Sequence, residues 1–101
     1  MRIDNKIVNR TLYIGLSGEL DEHASHYTRQ TLDTLTASDD FSRVVIDMSE
    51  LSFMDSTGIG VLIGRFKKLS SRGLPVFIAN PSTQADKIIK MTGLYDIMPK
   101  I

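Results

Sequence analysis

Apolar residues recur along this chain with two alternating periods, and that alternation limits the fold more tightly than any other feature. Residues 11–17 set Leu12, Ile14 and Leu16 against Thr11, Tyr13 and Ser17, the two-residue period of a strand. Residues 3–8 precede it as a weaker strand, with Asn9-Arg10 as the turn. Residues 44–48 form a short β-branched run of the kind that lies buried on both faces inside a helix-covered sheet. Residues 75–79 repeat the habit, Pro75 opening the strand because it has no N–H to give the ladder. Residues 95–98 are expected as a last short strand. Between these segments the period changes. Ala24, Tyr27, Thr28, Thr31, Leu32 and Leu35 share one helical face, and Ile59, Leu62, Ile63, Phe66 and Leu69 share another. Ala85, Ile88 and Ile89 mark a third helix, with Ser82 as its expected N-cap and Gly93-Leu94 as its expected C-terminal stop.

Strands alternating with helices predict an α/β domain with a mixed, mostly parallel four- to five-stranded sheet and helices packed on it. A chain of 101 residues is room for a single domain over residues 1–101. In such sheets function gathers at loops leaving the carboxyl ends of strands. Two loops qualify, residues 18–22 and 52–58, and both run into helix starts.

Composition narrows the partners. Twelve basic and twelve acidic residues cancel, which removes the electrostatic footprint of a nucleic-acid or anionic-membrane binder. Without cysteine there is no thiolate metal site and no thiol nucleophile. The first six residues carry no apolar signal-peptide core, and residues 59–64, the longest apolar stretch, fall far short of a membrane span. A cytoplasmic protein is expected. Met48, Met54, Met91 and Met98 read as core, and His23 and His26 as exposed helix residues rather than metal ligands.

The densest chemistry lies in Asp55-Ser56-Thr57-Gly58-Ile59-Gly60. Asp, Ser and Thr cap the orphan N–H groups of a helix start, so a plain cap explains the first three residues. It does not explain Gly58 and Gly60, each of which costs about 1 kcal/mol against Ala inside a helix. Small residues there would let a partner's backbone, or a phosphate, come close. Gly64, Lys67, Lys68 and Ser71 extend a flat stripe beyond Gly60. The spacing of Gly58, Gly60 and Gly64 fits neither a dinucleotide fingerprint nor a P-loop, and no hydrolase elbow is present. The second loop offers Asp21 and Glu22 as an acidic rim beside Ser56 that a basic partner could grip. An enzyme or nucleotide-binding module built on the same loops remains the alternative on residue types alone.

Two stretches resemble a known family. Gly18-Glu19-Leu20-Asp21-Glu22-His23 is similar to a turn of STAS-domain anti-sigma factor antagonists, and residues 51–61, LSFMDSTGIGV, are similar to their phosphorylation-site segment. Ile63-Gly64-Arg65-Phe66-Lys67 and Met91-Thr92-Gly93-Leu94 continue the match. The resemblance implies a binding protein, not an enzyme, with no cofactor. Its unmodified form would bind an anti-sigma factor serine kinase and release the sigma factor. The kinase, using ATP, would phosphorylate Ser56, and a PP2C-type phosphatase would reverse this. The partner-binding surface would comprise Asp21, Glu22, Asp55, Ser56, Thr57, Gly58, Gly60 and Gly64. The sporulation branch is the nearer match and the general stress-response branch the alternative. Thr57 departs from the second Ser usual in the sporulation branch, and the sequence stops at Ile101, where relatives often carry a further helix.

Overall fold

A computed structural model describes residues 1–101. Strands β1 (Arg2–Val8), β2 (Thr11–Leu20), β3 (Arg43–Met54) and β4 (Val76–Ala79) form one sheet in the order β1-β2-β3-β4. β1 runs antiparallel to β2; the β2–β3 and β3–β4 pairs are parallel. Helices α1 (Glu22–Leu35) and α2 (Ser56–Ser71) make the two crossovers, and α3 (Thr83–Thr92) follows β4. The mixed, mostly parallel sheet is as expected, with four strands.

Each element has a local cause. Asn9 and Arg10, at φ of 50° and 61°, make the two-residue turn whose twist suits a hairpin. Leu12, Ile14 and Leu16 of β2 meet Val44, Ile46 and Met48 of β3 in one buried layer, closed by Leu32 of α1 and Leu62 and Leu69 of α2. Val45, on the opposite face of β3, is also buried, as the β-branched run implied. Between α1 and α2, the largely buried Arg65 puts its Nε 3.0 Å from Asp33 Oδ1. Ser82 caps α3 by accepting from Ala85 N–H, and Gly93 ends it at φ 74°, both as the sequence implied.

Four expectations fail. The strands do not stop at residues 17 and 48: β2 runs on to Leu20 and β3 to Met54. Two register shifts leave β3 with extra residues opposite β2. Its buried positions past Met48 therefore fall three apart, at Met48, Leu51 and Met54, which hides the strand period. The first shift is held by Asp47, whose Oδ1 accepts from both the N–H and the hydroxyl of Ser49. Partial burial pushes this carboxyl up, but hydrogen bonds from Asn80 and Ser49 outweigh it and hold it below its ordinary value.

Residues 95–98 are not a strand. Leu94–Asp96 is a 3-10 turn, continued by Met98 N–H donating to the Leu94 carbonyl, and Leu94 and Met98 are buried at helical spacing. The segment reaches the sheet only beyond Met98, as a single bridge between Lys100 and Ile78 made by the peptide groups of Pro99 and Ile101. Met91 is not core but 83% exposed, because it stands off the Ala85–Ile89 face by which α3 packs. Tyr27, 51% exposed, likewise leaves the inward face of α1.

Candidate functional site

The register of β2 and β3 builds the site. Leu20 pairs with Met54, so the two strands end level and in the same direction. The next residue in each chain segment is an aspartate in extended conformation, Asp21 at φ −112° and Asp55 at φ −103°. Each caps the helix that follows. Asp21 Oδ1 accepts from Ala24 N–H at 3.0 Å, and Asp55 Oδ1 accepts from Gly58 N–H at 2.9 Å. Two helices thus begin side by side, α1 and α2, with their positive ends at one rim of the molecule.

Asp55 also ties the two starts together. Its second oxygen, Oδ2, accepts from the Glu22 N–H at 3.2 Å, and its own N–H donates to the Leu20 carbonyl at 3.4 Å. Both carboxylate oxygens are therefore occupied within the chain. Asp55 thereby holds the rim together, each oxygen accepting one bond and keeping further acceptor capacity. The N–H groups of Ala24, Gly58 and Glu22 are likewise satisfied, so at those three positions the protein's own carboxylates stand where an anion would bind.

Ser56 is the first helical residue of α2 and is exposed, as is Thr57. Because Asp55 supplies the cap, the Ser56 hydroxyl is not required for one. Gly58 reverses its expected role. A Cβ built on it would lie 2.2 Å from the Leu20 carbonyl oxygen. The missing side chain lets α2 press against the end of β2; it faces inward and leaves no room for a partner. Gly60 and Gly64 differ from it, with nothing within 4 Å of a built Cβ. Ser56, Gly60 and Gly64 are spaced by four and so lie along one side of the helix. The result is an exposed hydroxyl at the head of a flat, open stripe. Glu22 stands exposed beside it, and Asp21 is half-buried.

Sequence reasoning missed Phe53. This residue sits on β3 opposite Glu19, three positions before Ser56, and is 47% exposed. Its signal would have been an aromatic next to a buried Met54 in a strand whose period is interrupted. The largest groove, about 570 Å³, lies elsewhere, against Phe66, Leu74, Phe77 and Ile97. His23 and His26 are exposed on α1. The tyrosine with a displaced pKa is also remote: burial, then the hydrogen bond to Asp86, pushes Tyr95 up to about 12. In return, that bond and Lys90 hold the Asp86 carboxyl low. No helix is long and apolar enough to cross a membrane.

Residues 2–101 match the STAS domain family. The chain belongs to that family. It is 34% identical over 88 residues to the anti-sigma F factor antagonist of Paenibacillus polymyxa, covering 87% of this chain and 75% of that protein. It is 32% identical over 85 residues to the anti-sigma-B factor antagonist of Listeria monocytogenes, covering 84% of this chain and 74% of that one. Among solved structures it is similar to the anti-sigma factor antagonist SpoIIAA. The unphosphorylated form superposes with a TM-score of 0.81 at 31% identity, over 99% of this chain and 88% of that one. The phosphorylated form superposes with a TM-score of 0.74 at the same identity, covering 99% and 91%.

Proposed function

We propose that this STAS protein is an anti-sigma factor antagonist switched by phosphate on Ser56. The unmodified protein binds an anti-sigma factor that is also a serine kinase, and so frees the sigma factor. The kinase transfers phosphate from ATP to Ser56, and a PP2C-type phosphatase removes it. This is a cytoplasmic binding role with no catalytic step of its own. The sporulation sigma-F system is the first reading. A general stress-response system is the second, favoured by the similarity to a sigma-B antagonist and by Thr57 in place of a second serine.

The observation that carries the proposal is the exposed Ser56 hydroxyl at the first turn of α2, relieved of capping by Asp55. A phosphate there gains roughly 0.3 to 1 kcal/mol from the helix N-terminus, offset in part by the neighbouring aspartate. A docked partner would have to desolvate nearly two negative charges, which costs several kcal/mol. The second effect is larger. Phosphorylation should leave the fold intact and expel the partner. The flat side formed by Gly60 and Gly64 suits the approach of that partner, with Glu22, Asp21 and Thr57 at its rim. A nucleotide-binding role is disfavoured, because the carboxylates of Asp21 and Asp55 stand at both helix starts and would repel its phosphates.

The test is incubation with a cognate kinase of each system and ATP, followed by mass spectrometry. Phosphate on Ser56 from one kinase only names the branch; phosphate elsewhere, with Ser56 untouched, refutes the site. Ser56→Ala should hold the kinase persistently, and Ser56→Asp should bind it more weakly with an unchanged melting temperature. Equal affinity of the two variants would refute the charge argument.

A further inference from the structure

The two edges of the sheet are treated differently. At the β4 edge, Ile78 N–H donates to the Pro99 carbonyl and Ile101 N–H to the Ile78 carbonyl, each at 2.9 Å, so the C-terminal segment occupies that edge at Ile78. No strand of the chain pairs with the outer edge of β1. That edge exposes two aliphatic residues, Ile7 at 44% and Val8 at 46%.

The turn fixes which peptide groups are free. A two-residue hairpin closes on a hydrogen-bonded pair, here Val8 and Thr11, and bonded pairs alternate along an antiparallel ladder. Arg2, Asp4, Lys6 and Val8 therefore bond to β2, while Ile3, Asn5 and Ile7 aim their N–H and C=O groups outward. Open edges are commonly guarded by charge. Here the charges alternate in sign along one face: Arg2, Asp4, Lys6. Asp4 is held 3.3 Å from Arg2 and the Lys6 ammonium lies 5.6 Å over the Tyr13 ring, both on the face away from Ile3 and Ile7.

We infer that β1 is a self-association edge, at which two copies pair β1 to β1 antiparallel about a two-fold axis at Asn5. In that register Asp4 stands opposite Lys6 of the second copy, and Lys6 opposite its Asp4. Ile3 stands opposite Ile7 of the second copy, which covers the exposed Ile7. The outward peptide groups of Ile3, Asn5 and Ile7 meet one another, as hydrogen bonding requires. Slipping by two residues either way keeps the hydrogen bonds but sets Asp4 against Asp4, or Lys6 against Lys6. The alternating charges thus reject the neighbouring registers and favour this one. The contact is one short strand, so the dimer is weak and concentration-dependent. It lies across β2 from the strand that leads to Ser56, and it stands or falls independently of the phosphorylation proposal.

Sedimentation equilibrium of the full chain at low ionic strength, from micromolar to millimolar, tests it. A monomer–dimer equilibrium is expected, weakened by added salt. Lys6→Asp and Asp4→Lys should each weaken self-association about tenfold, since each converts attraction into repulsion. An equimolar mixture of the two variants should associate again, because each supplies the charge the other lacks. Asn5→Pro, which removes an outward N–H, should leave a monomer with an unchanged circular dichroism spectrum. A monomer at every concentration, undiminished association in the charge variants, or a mixture no tighter than its components would overturn the inference.

Discussion

The starts of α1 and α2 make a natural comparison, because the same fold feature produced both. Each follows a parallel strand, each is capped by an aspartate in extended conformation, and each cap accepts from the N–H three residues on. The residue at that third position is Ala24 in α1 and Gly58 in α2. Beyond it, α1 continues with Ser25, His26 and Tyr27, whereas α2 continues with Ile59 and Gly60, and Gly64 lies one turn further. Capping is thus common to both and explains nothing about function. The difference lies in the glycines, and these divide again. Gly58 is small because β2 presses on it; Gly60 and Gly64 are small where nothing in the chain presses at all. An inward glycine serves the fold, and an outward pair with no packing use inside the chain is what the proposed docking face rests on.

The largest effect expected from breaking this comparison is at Gly58. Gly58→Ala would drive a methyl into the Leu20 carbonyl at 2.2 Å, and backbone cannot yield as a side chain can. A loss of about 3 kcal/mol or more is expected in denaturant unfolding, against almost none for Ala24→Gly beyond its helix propensity of about 1 kcal/mol. Next come the caps. Asp55→Ala removes two accepted hydrogen bonds and unties α1 from α2, so about 2 kcal/mol should be lost. Asp21→Ala removes one and should cost about 1 kcal/mol. Equal costs would mean that the bond from Glu22 N–H contributes nothing. Smaller and opposite in sign, Gly60→Ala should stabilise the fold by up to about 1 kcal/mol, since its methyl meets open space and gains helix propensity. The same variant should weaken binding of the anti-sigma partner. A stabilised protein with unchanged partner affinity would remove Gly60 from the docking stripe.

Tyr95 supplies a pH check on a region that neither helix start touches. Its folded pKa of about 12 lies above the ordinary value of 10.0, so its contribution to stability is complete below pH 10 and is lost as pH rises through about 12. Alkaline destabilisation in that window should flatten in Tyr95→Phe, as read from melting temperature against pH. The Asp21 and Asp55 variants should keep the wild-type slope there. A slope altered by them would mean that the helix starts are coupled to the C-terminal segment.

Much of this was legible in the sequence where the local rules run undisturbed. The buried alternation of Leu12, Ile14 and Leu16, the run at Val44–Ile46, the Ser82 cap and the Gly93 stop all depend on neighbours within a few positions. The ends of β2 and β3 were not legible, because the extra residues of β3 replace a period of two by a spacing of three, and only pairing with β2 reveals that spacing as strand. Phe53 was hidden for the same reason. Ser56 itself stood out by residue type; that its hydroxyl is spared from capping follows from Asp55 Oδ1 reaching Gly58 N–H.

The sequence alone determined the class of fold, its family, and the hydroxyl at the head of a glycine-bearing helix, since hydrophobic period, capping preference and motif spacing are written in nearest neighbours. The tertiary structure alone decided which glycine faces inward, how Asp55 joins two helices, and which edge of the sheet stands open. Those depend on residues brought together from positions far apart in the chain, where Leu20 meets Gly58 and Glu22 meets Asp55 only because two strands end level.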